Sequence, residues 1–393
     1  MDIVPAVSLE EDVRVELAEL GAAHRLRVPR VIDGMQGPLA VVDGREVINF
    51  ASNDYLGLAG DPRLIRAAAS ALDEGGAGVG ASRLIVGNHR QHVALEADVA
   101  DWLQCGGVRL FNAGYAANVG VLTALLRAGD VVFSDELNHA SIIDGCRLSR
   151  AEIAVFPHRD LATLETALAQ RRGRRRIVVS ESLFSMDGDV ADVEALSVLC
   201  RRHDAAFILD EAHAIGVLGP EGRGIAAQHG VAPDVLIGTF GKALGSFGAF
   251  AATSKAIAEL LWNRARPLVF STGLPPSVAA ASRAAVEFVR SSDGDARRAQ
   301  LASHARLLRA RVPGIGGAAT SAIAPLVIGD DRAAMLCTER LLGDGLFVQG
   351  IRPHTVPRGT ARLRVGMSAT HTSQHVEILC ESLNRLARDK AAS

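Results

Sequence analysis

From about residue 108 the chain keeps a regular beat. Short apolar runs, each closed by polar residues, alternate with longer stretches of helical period. The runs are VRLFN (108–112), VVFSD (131–135), IAVFP (153–157), RIVVSES (176–182), AAFILDE (205–211), DVLIGTF (234–240) and GAFAAT (248–253). Helix candidates such as NVGVLTALLRAG and DVEALSVLCRRH lie between them. Strands apolar on both faces need helices on both faces, so the pattern predicts an α/β fold around a mostly parallel, seven-stranded sheet. In such sheets ligands bind beyond the carboxyl ends of the strands. The polar residues that finish the runs are therefore where chemistry is expected.

After about residue 290 the beat changes. An arginine- and alanine-rich helix, DARRAQLASHARLLRARV, leads to a strand AIAPLVIG and a helix near 331–343. LFVQGIRPHTVP follows, then a second strand ARLRVGMS and a terminal helix from about Ser373. This reads as a smaller α+β domain over 291–393, beside a large domain over 51–290 and an N-terminal segment over 1–50.

Composition narrows the function classes. The charge balance, 42 − 44 = −2, leaves no electrostatic footprint for nucleic acid or an anionic membrane. The one basic run, RRGRRR at 171–176, reads as a solvated loop. Five cysteines at 105, 146, 200, 337 and 380 form no CxxC pair, which suits a reducing compartment. The N-terminus is acidic and broken by Pro5, unlike a signal peptide, and no apolar stretch approaches the roughly 18 residues of a membrane span. A cytoplasmic protein is expected. HRQH (89–92) lacks a further ligand type nearby and reads as surface polarity, so no metal is expected.

Two spellings mislead. DEAH (210–213) resembles a helicase box, but the only Gly-Lys pair, Gly241–Lys242, has Leu236 where a phosphate loop needs its first glycine. Ala243 also replaces the magnesium-binding hydroxyl. GGAGVGAS (75–82) nearly spells a dinucleotide fingerprint, yet it follows a helix-like stretch rather than a strand and reads as a glycine loop bordering a site.

Only three of the 42 basic residues are lysine, and one of them, Lys242, stands between glycines just past a strand end in TFGKALGSFG. Lys255 sits on a helix-like surface stretch and Lys390 in the tail. Asp210 ends another apolar run with His213 just beyond it; Ser185, His139 and Thr239 follow three others. Gly114 and Tyr115 open a helix whose free N–H groups suit a phosphate. An amine, a carboxylate, imidazoles, hydroxyls and a helix N-terminus on one sheet edge are what pyridoxal 5'-phosphate requires. Arginine cannot form the Schiff base, because its guanidinium stays protonated.

The motifs SNDYLGL (52–58), GYAAN (114–118), LNHASIIDG (137–145), ESLFSMDGD (181–189), DEAHAIGVLG (210–219), TFGKALGS (239–246), STGLPP (271–276) and TVPRGTARLRV (355–365) resemble those of the α-oxoamine synthases, in that family's order. The resemblance implies the type I aminotransferase fold and a homodimer with its site at the subunit interface. It implies that Lys242 forms the Schiff base, Asp210 pairs with the pyridine nitrogen, His139 stacks on the ring, and His213 and Ser185 meet the phenolic oxygen. Phosphate falls to Gly114, Tyr115 and Thr239, with Ser271 and Thr272 reaching in from the partner. Asn53 and Arg364 resemble the pair that holds the amino-acid carboxylate, and Arg27 and Thr355 are substrate-binding positions. The family condenses an amino acid with an acyl thioester and loses carbon dioxide. The substrates expected here are L-alanine and a pimeloyl thioester, carried on coenzyme A or an acyl carrier protein, with His139 also polarising the acyl carbonyl. A sister synthase acting on glycine or another acyl group is the competing reading. A non-catalytic subunit would be expected to lack Lys242. Pimeloyl carries a second carboxylate, which needs a second cation if buried; Arg352 in IRP, from a cluster with Arg362 and Arg364, is expected to supply it. The chain departs from the family's pattern at His354, where a second proline is usual.

Overall fold

A computed structural model describes residues 8–392. Residues 1–7, with Pro5, and the Lys390 side chain lie outside the described residues. All seven apolar runs form one sheet, in the order Gly107–Phe111, Ala249–Thr253, Val235–Thr239, Ala206–Asp210, Arg176–Glu181, Val131–Asp135, Glu152–Phe156. Only Ala249–Thr253 runs against its neighbours. Successive residues of the central strands feed opposite cores: Ile177 and Val179 pack on one side, Val178 on the other. Both faces are therefore buried, which is why these strands carry no polar alternation until their last residues.

The C-terminal region holds the helices Ser292–Arg311, Asp331–Gly343 and Ser373–Ala392 around an antiparallel sheet. Its central strand is Ala361–Gly366, between Ile323–Gly329 and Gln349–Ile351. A third sheet joins the strands Ile32–Asp33, Leu39–Val42 and Arg45–Asn49 to the short strand Leu346–Phe347, which pairs in parallel with Ile48 and Asn49. This sheet lies outside the beat that predicts the large one. Its hairpin nevertheless has a legible signal: Asp43 and Gly44, both at positive φ, join Val42 to Arg45 in the turn that favours Asp-Gly.

Two expectations about polar clusters change. RRGRRR is exposed only as far as Arg174, and it is engaged: half-buried Arg175 donates to the Leu125 carbonyl, half-buried Arg176 to those of Leu168 and His203, and Arg174 pairs with buried Asp130. HRQH does not simply face solvent either. His89 caps the helix Arg90–Leu103, and His92, fully buried, accepts from the His89 N–H while its Nε2 meets the Leu274 carbonyl at 2.7 Å.

Candidate active site

Lys242 sits on the connection between the antiparallel strands Val235–Thr239 and Ala249–Thr253. The connection is closed by Phe240 N–H to the Gly248 carbonyl (2.9 Å) and Ser246 N–H to the Phe240 carbonyl (2.8 Å). Gly245, at φ +61, lies where a Cβ would strike Leu58 at 2.4 Å. Thr239 is committed to the same turn, donating to the Gly248 carbonyl (2.9 Å) and accepting from the Gly241 N–H (3.1 Å). Lys242 Nζ lies 2.8 Å from His213 Nε2. Burial, with Arg364 adding to it, lowers the amine to about 8 against the pull of Asp210 and Glu181. Burial, with Lys242 and Arg364 adding to it, holds His213 well below the ordinary imidazole value.

From Lys242 a chain of contacts runs across the cleft. His213 Nδ1 is 2.7 Å from Tyr55 Oη, Tyr55 donates to Asn53 Oδ1 (3.0 Å), and Arg364 donates to both Asn53 (3.1 Å) and Tyr55 (3.3 Å). Arg364 Nε also donates to the Ser185 carbonyl at 2.7 Å. The strand Ala361–Gly366 presents Arg362 and Arg364 to one side while Leu363 and Val365 fill the core. Arg362 is used differently, pairing with Asp187 in the turn after Ser185. On the other side of that turn, Asp189 meets His158 (2.9 Å) and Arg159 (3.0 Å). The Ser185 turn is thus tied at both ends.

Asp210 ends its strand opposite Glu181 and is buried. Its Oδ2 accepts from Asn118 Nδ2 (2.7 Å) and its Oδ1 from the Ala212 N–H (2.9 Å). The neighbouring Glu211 points the other way and accepts from Ser182 and from the Ile225 and Ala226 N–H groups. Within the helicase-like spelling, one acid therefore serves the cleft and the next ties down a helix start. Glu181 Oε1 accepts the His139 N–H at 2.6 Å, and burial beside Asp210 raises the Glu181 carboxyl to about 8. His139 caps the helix Ala140–Ser149 at the open rim of the cleft. Burial within the cleft lowers its imidazole below the ordinary value, with Lys242 adding to the effect and Asp210 opposing it.

The helix Gly114–Leu125 begins after Ala113, in extended conformation, with no side chain capping its first N–H groups. Open space surrounds the Cβ position of Gly114, and Tyr115 turns outward to Asp144 (2.5 Å). Ser271 and Thr272 lie beside this corner on their own chain: the Thr272 carbonyl accepts from Asn112 (2.9 Å), and Thr272 bridges Ser82 of the glycine loop.

The arginines expected to cluster have three separate jobs. Arg364 faces the cleft and Arg362 the Ser185 turn. Arg352, buried, donates to the Leu26 carbonyl (2.6 Å) and lines a separate cavity of about 700 Å³ with Arg27, Thr355, Met335 and Phe347. Arg27 donates to Thr355 Oγ1 at 3.2 Å. The buried Nε of Arg352 has no partner.

Residues 45–383 match the profile of the family "aminotransferase class I and II". The chain belongs to that family. Its relatives include an 8-amino-7-oxononanoate synthase of Geobacter sulfurreducens, 47% identical over 95% of this chain and 97% of the relative. Another, of Pelobacter propionicus, is 44% identical over 96% and 98%. Among solved structures, serine palmitoyltransferase of Sphingomonas wittichii superposes with a TM-score of 0.92 at 31% identity, covering 98% of this chain and 100% of that one.

Pyridoxal phosphate is the cofactor of this aminotransferase-family chain, and the residues fit it. A part-neutral amine, a buried carboxylate held by two donors and an uncapped helix N-terminus with room at Gly114 are groups that would suit its aldehyde, ring nitrogen and phosphate. The side chains that join these groups carry no assigned role in the sequence reading: Tyr55, Asn118, Ser141 and Glu181. Each lies inside one of the quoted motifs, and that is the signal that could have found it.

Proposed function

We propose that this chain catalyses the decarboxylative condensation of L-alanine with a pimeloyl thioester, giving 8-amino-7-oxononanoate, carbon dioxide and the free thiol carrier, in the cytoplasm as a homodimer. The observation that carries the reading is the continuous contact from Lys242 through His213 and Tyr55 to Arg364, which sets a proton acceptor and a carboxylate clamp on one cleft. Relatives named for this synthesis at 44–47% identity support the choice of substrates.

Pyridoxal phosphate supplies an aldehyde for the amino group and a ring that takes up negative charge. Asp210 would hold the ring nitrogen protonated. Arg364 and Asn53 would hold the alanine carboxylate and so orient Cα. Lys242 would take the Cα proton as a neutral amine, its lowered basicity keeping part of it unprotonated near neutral pH. Cα then bonds to the thioester carbonyl carbon and the thiolate leaves. The Cα–carboxylate bond breaks with loss of carbon dioxide, and a proton returns to Cα.

The purified protein, offered alanine, glycine and serine against short, pimeloyl and long acyl thioesters, should favour alanine with pimeloyl. A preference for glycine would transfer the reading to a sister synthase. The cavity of Arg27, Arg352 and Thr355 suits the far carboxylate, because two guanidinium groups and a hydroxyl are among its lining. Arg352→Ala should raise KM for the pimeloyl thioester about ten- to a hundredfold, the worth of one charged hydrogen bond. Alanine binding and an uncharged donor of equal length should be spared, and equal losses on both donors would remove Arg352 from acyl recognition.

Exposed Ile85, Val86 and Phe270 flank the Ser82–Thr272 bridge and support the homodimer, since apolar side chains grouped this way ask for a partner surface. Sedimentation should give a dimer at assay concentration. An active monomer would contradict it.

A further inference from the structure

We propose that Asn118 and Ser141 are positioning residues that fix the proton of His139 on Nε2. The relay's direction is set at Asp210. An ionised carboxylate only accepts, so the Asn118 atom 2.7 Å from Asp210 Oδ2 is the amide nitrogen. The same nitrogen lies 3.0 Å from Ser141 Oγ and donates its second proton there. Ser141 Oγ, already accepting, turns its own proton to His139 Nδ1 at 2.7 Å. The Ser141 main-chain N–H, which cannot accept, points at the same Nδ1 from 3.2 Å. Two donors converge on one ring nitrogen, so that nitrogen carries the lone pair and the neutral ring bears its hydrogen on Nε2.

The main chain that carries the ring is held independently of the tautomer, its N–H donating to Glu181 at 2.6 Å. Asn118 and Ser141 are buried, leaving no solvent to reverse the relay. Amide orientation, hydroxyl direction and imidazole tautomer therefore follow from the charge on Asp210. On the substrate reading given above, the consequence is a division of labour. His139 presents an N–H donor to the acyl carbonyl oxygen and cannot take a proton at Nε2, so removal of the Cα proton is left to Lys242. Neither Asn118 nor Ser141 touches the reacting atoms in this scheme.

Nitrogen-15 NMR of histidine-labelled protein, cofactor-free and loaded with pyridoxal phosphate, reads the tautomer directly, with His139→Gln assigning the signal. The expected spectrum has His139 Nδ1 unprotonated and Nε2 protonated in both forms. A hydrogen on Nδ1 in the loaded protein overturns the proposal. Ser141→Ala, which keeps only the longer main-chain donor, should bring in a population protonated at Nδ1, and Ser141→Thr should restore the parent spectrum. The same Ser141→Ala protein should lose about tenfold in kcat/KM for the acyl thioester, on the scale of one hydrogen bond, with alanine affinity unchanged. Because the acyl effect passes through one relay, it should largely vanish in an Asn118→Ala background. An unchanged tautomer in Ser141→Ala, or losses that simply add, would make both residues structural only. The NMR result needs no acyl donor, so it stands or falls apart from the choice of pimeloyl.

Discussion

Lys242→Ala should abolish condensation and leave a folded protein. The amine is half-buried, and its lowered basicity shows that the cleft disfavours its charge, so removing it relieves a desolvated group rather than breaking a stabilising pair. The side chain lies in the cleft against His213 rather than on the open surface. Turnover at zero, a melting temperature close to the parent's and loss of the bound-cofactor absorbance are the expected readings. Near-normal turnover would remove Lys242 from the chemistry. In the parent protein, attachment of pyridoxal phosphate to the cofactor-free chain needs the neutral amine. A lysine lowered from 10.5 to about 8 gains that form as pH rises through 8. The attachment rate, followed by absorbance, should therefore climb between pH 7 and 9 and flatten above, whereas a climb continuing past pH 10 would mean an ordinary lysine.

Asp210→Asn should retain part of the cofactor and lose on the order of 10²-fold or more in kcat, the usual scale for removing a preorganised electrostatic partner. A neutral amide no longer favours the protonated ring nitrogen. The surroundings add a second loss. Asp210 accepts from Asn118 on one oxygen and from the Ala212 N–H on the other. An amide has one acceptor oxygen, so one of these buried donors goes unpaired, at about 1–3 kcal/mol. Lower thermal stability should accompany the lower rate. Parent-like turnover would assign the ring nitrogen to another group.

The large sheet was legible because burial on both faces forces uninterrupted apolar strands. The same rule made Asp210, Thr239 and Lys242 stand out where those strands end. The small α+β region was legible from its helices and two of its strands, but of the N-terminal hairpin only the Asp43–Gly44 turn carried a signal, since Leu39–Val42 and Arg45–Asn49 are short and half-exposed. The link from Lys242 to Arg364 could not be read at all. Tyr55, which joins them, lies 158 residues from His213 and 309 from Arg364 in the chain, and no local period encodes such a meeting. The three arginines of 352–364 misled for a related reason: neighbours in sequence on a strand and its loop were sent to three different surroundings.

The turn that carries Lys242 has a kinetic meaning. Its nine residues, 240–248, are closed between two hydrogen-bonded strands and crossed by their own main-chain bonds. Ordering a free loop costs roughly 1–2 kcal/mol per residue in backbone entropy, and here that ordering is complete when the sheet forms. On the proposed function, the Lys242 amine would move toward and away from the reacting carbon in every catalytic cycle. With the backbone already immobile, only the torsions of its four methylenes have to change. The shuttle is then a rotamer exchange on the timescale of side-chain motion, with no loop to refold between turnovers.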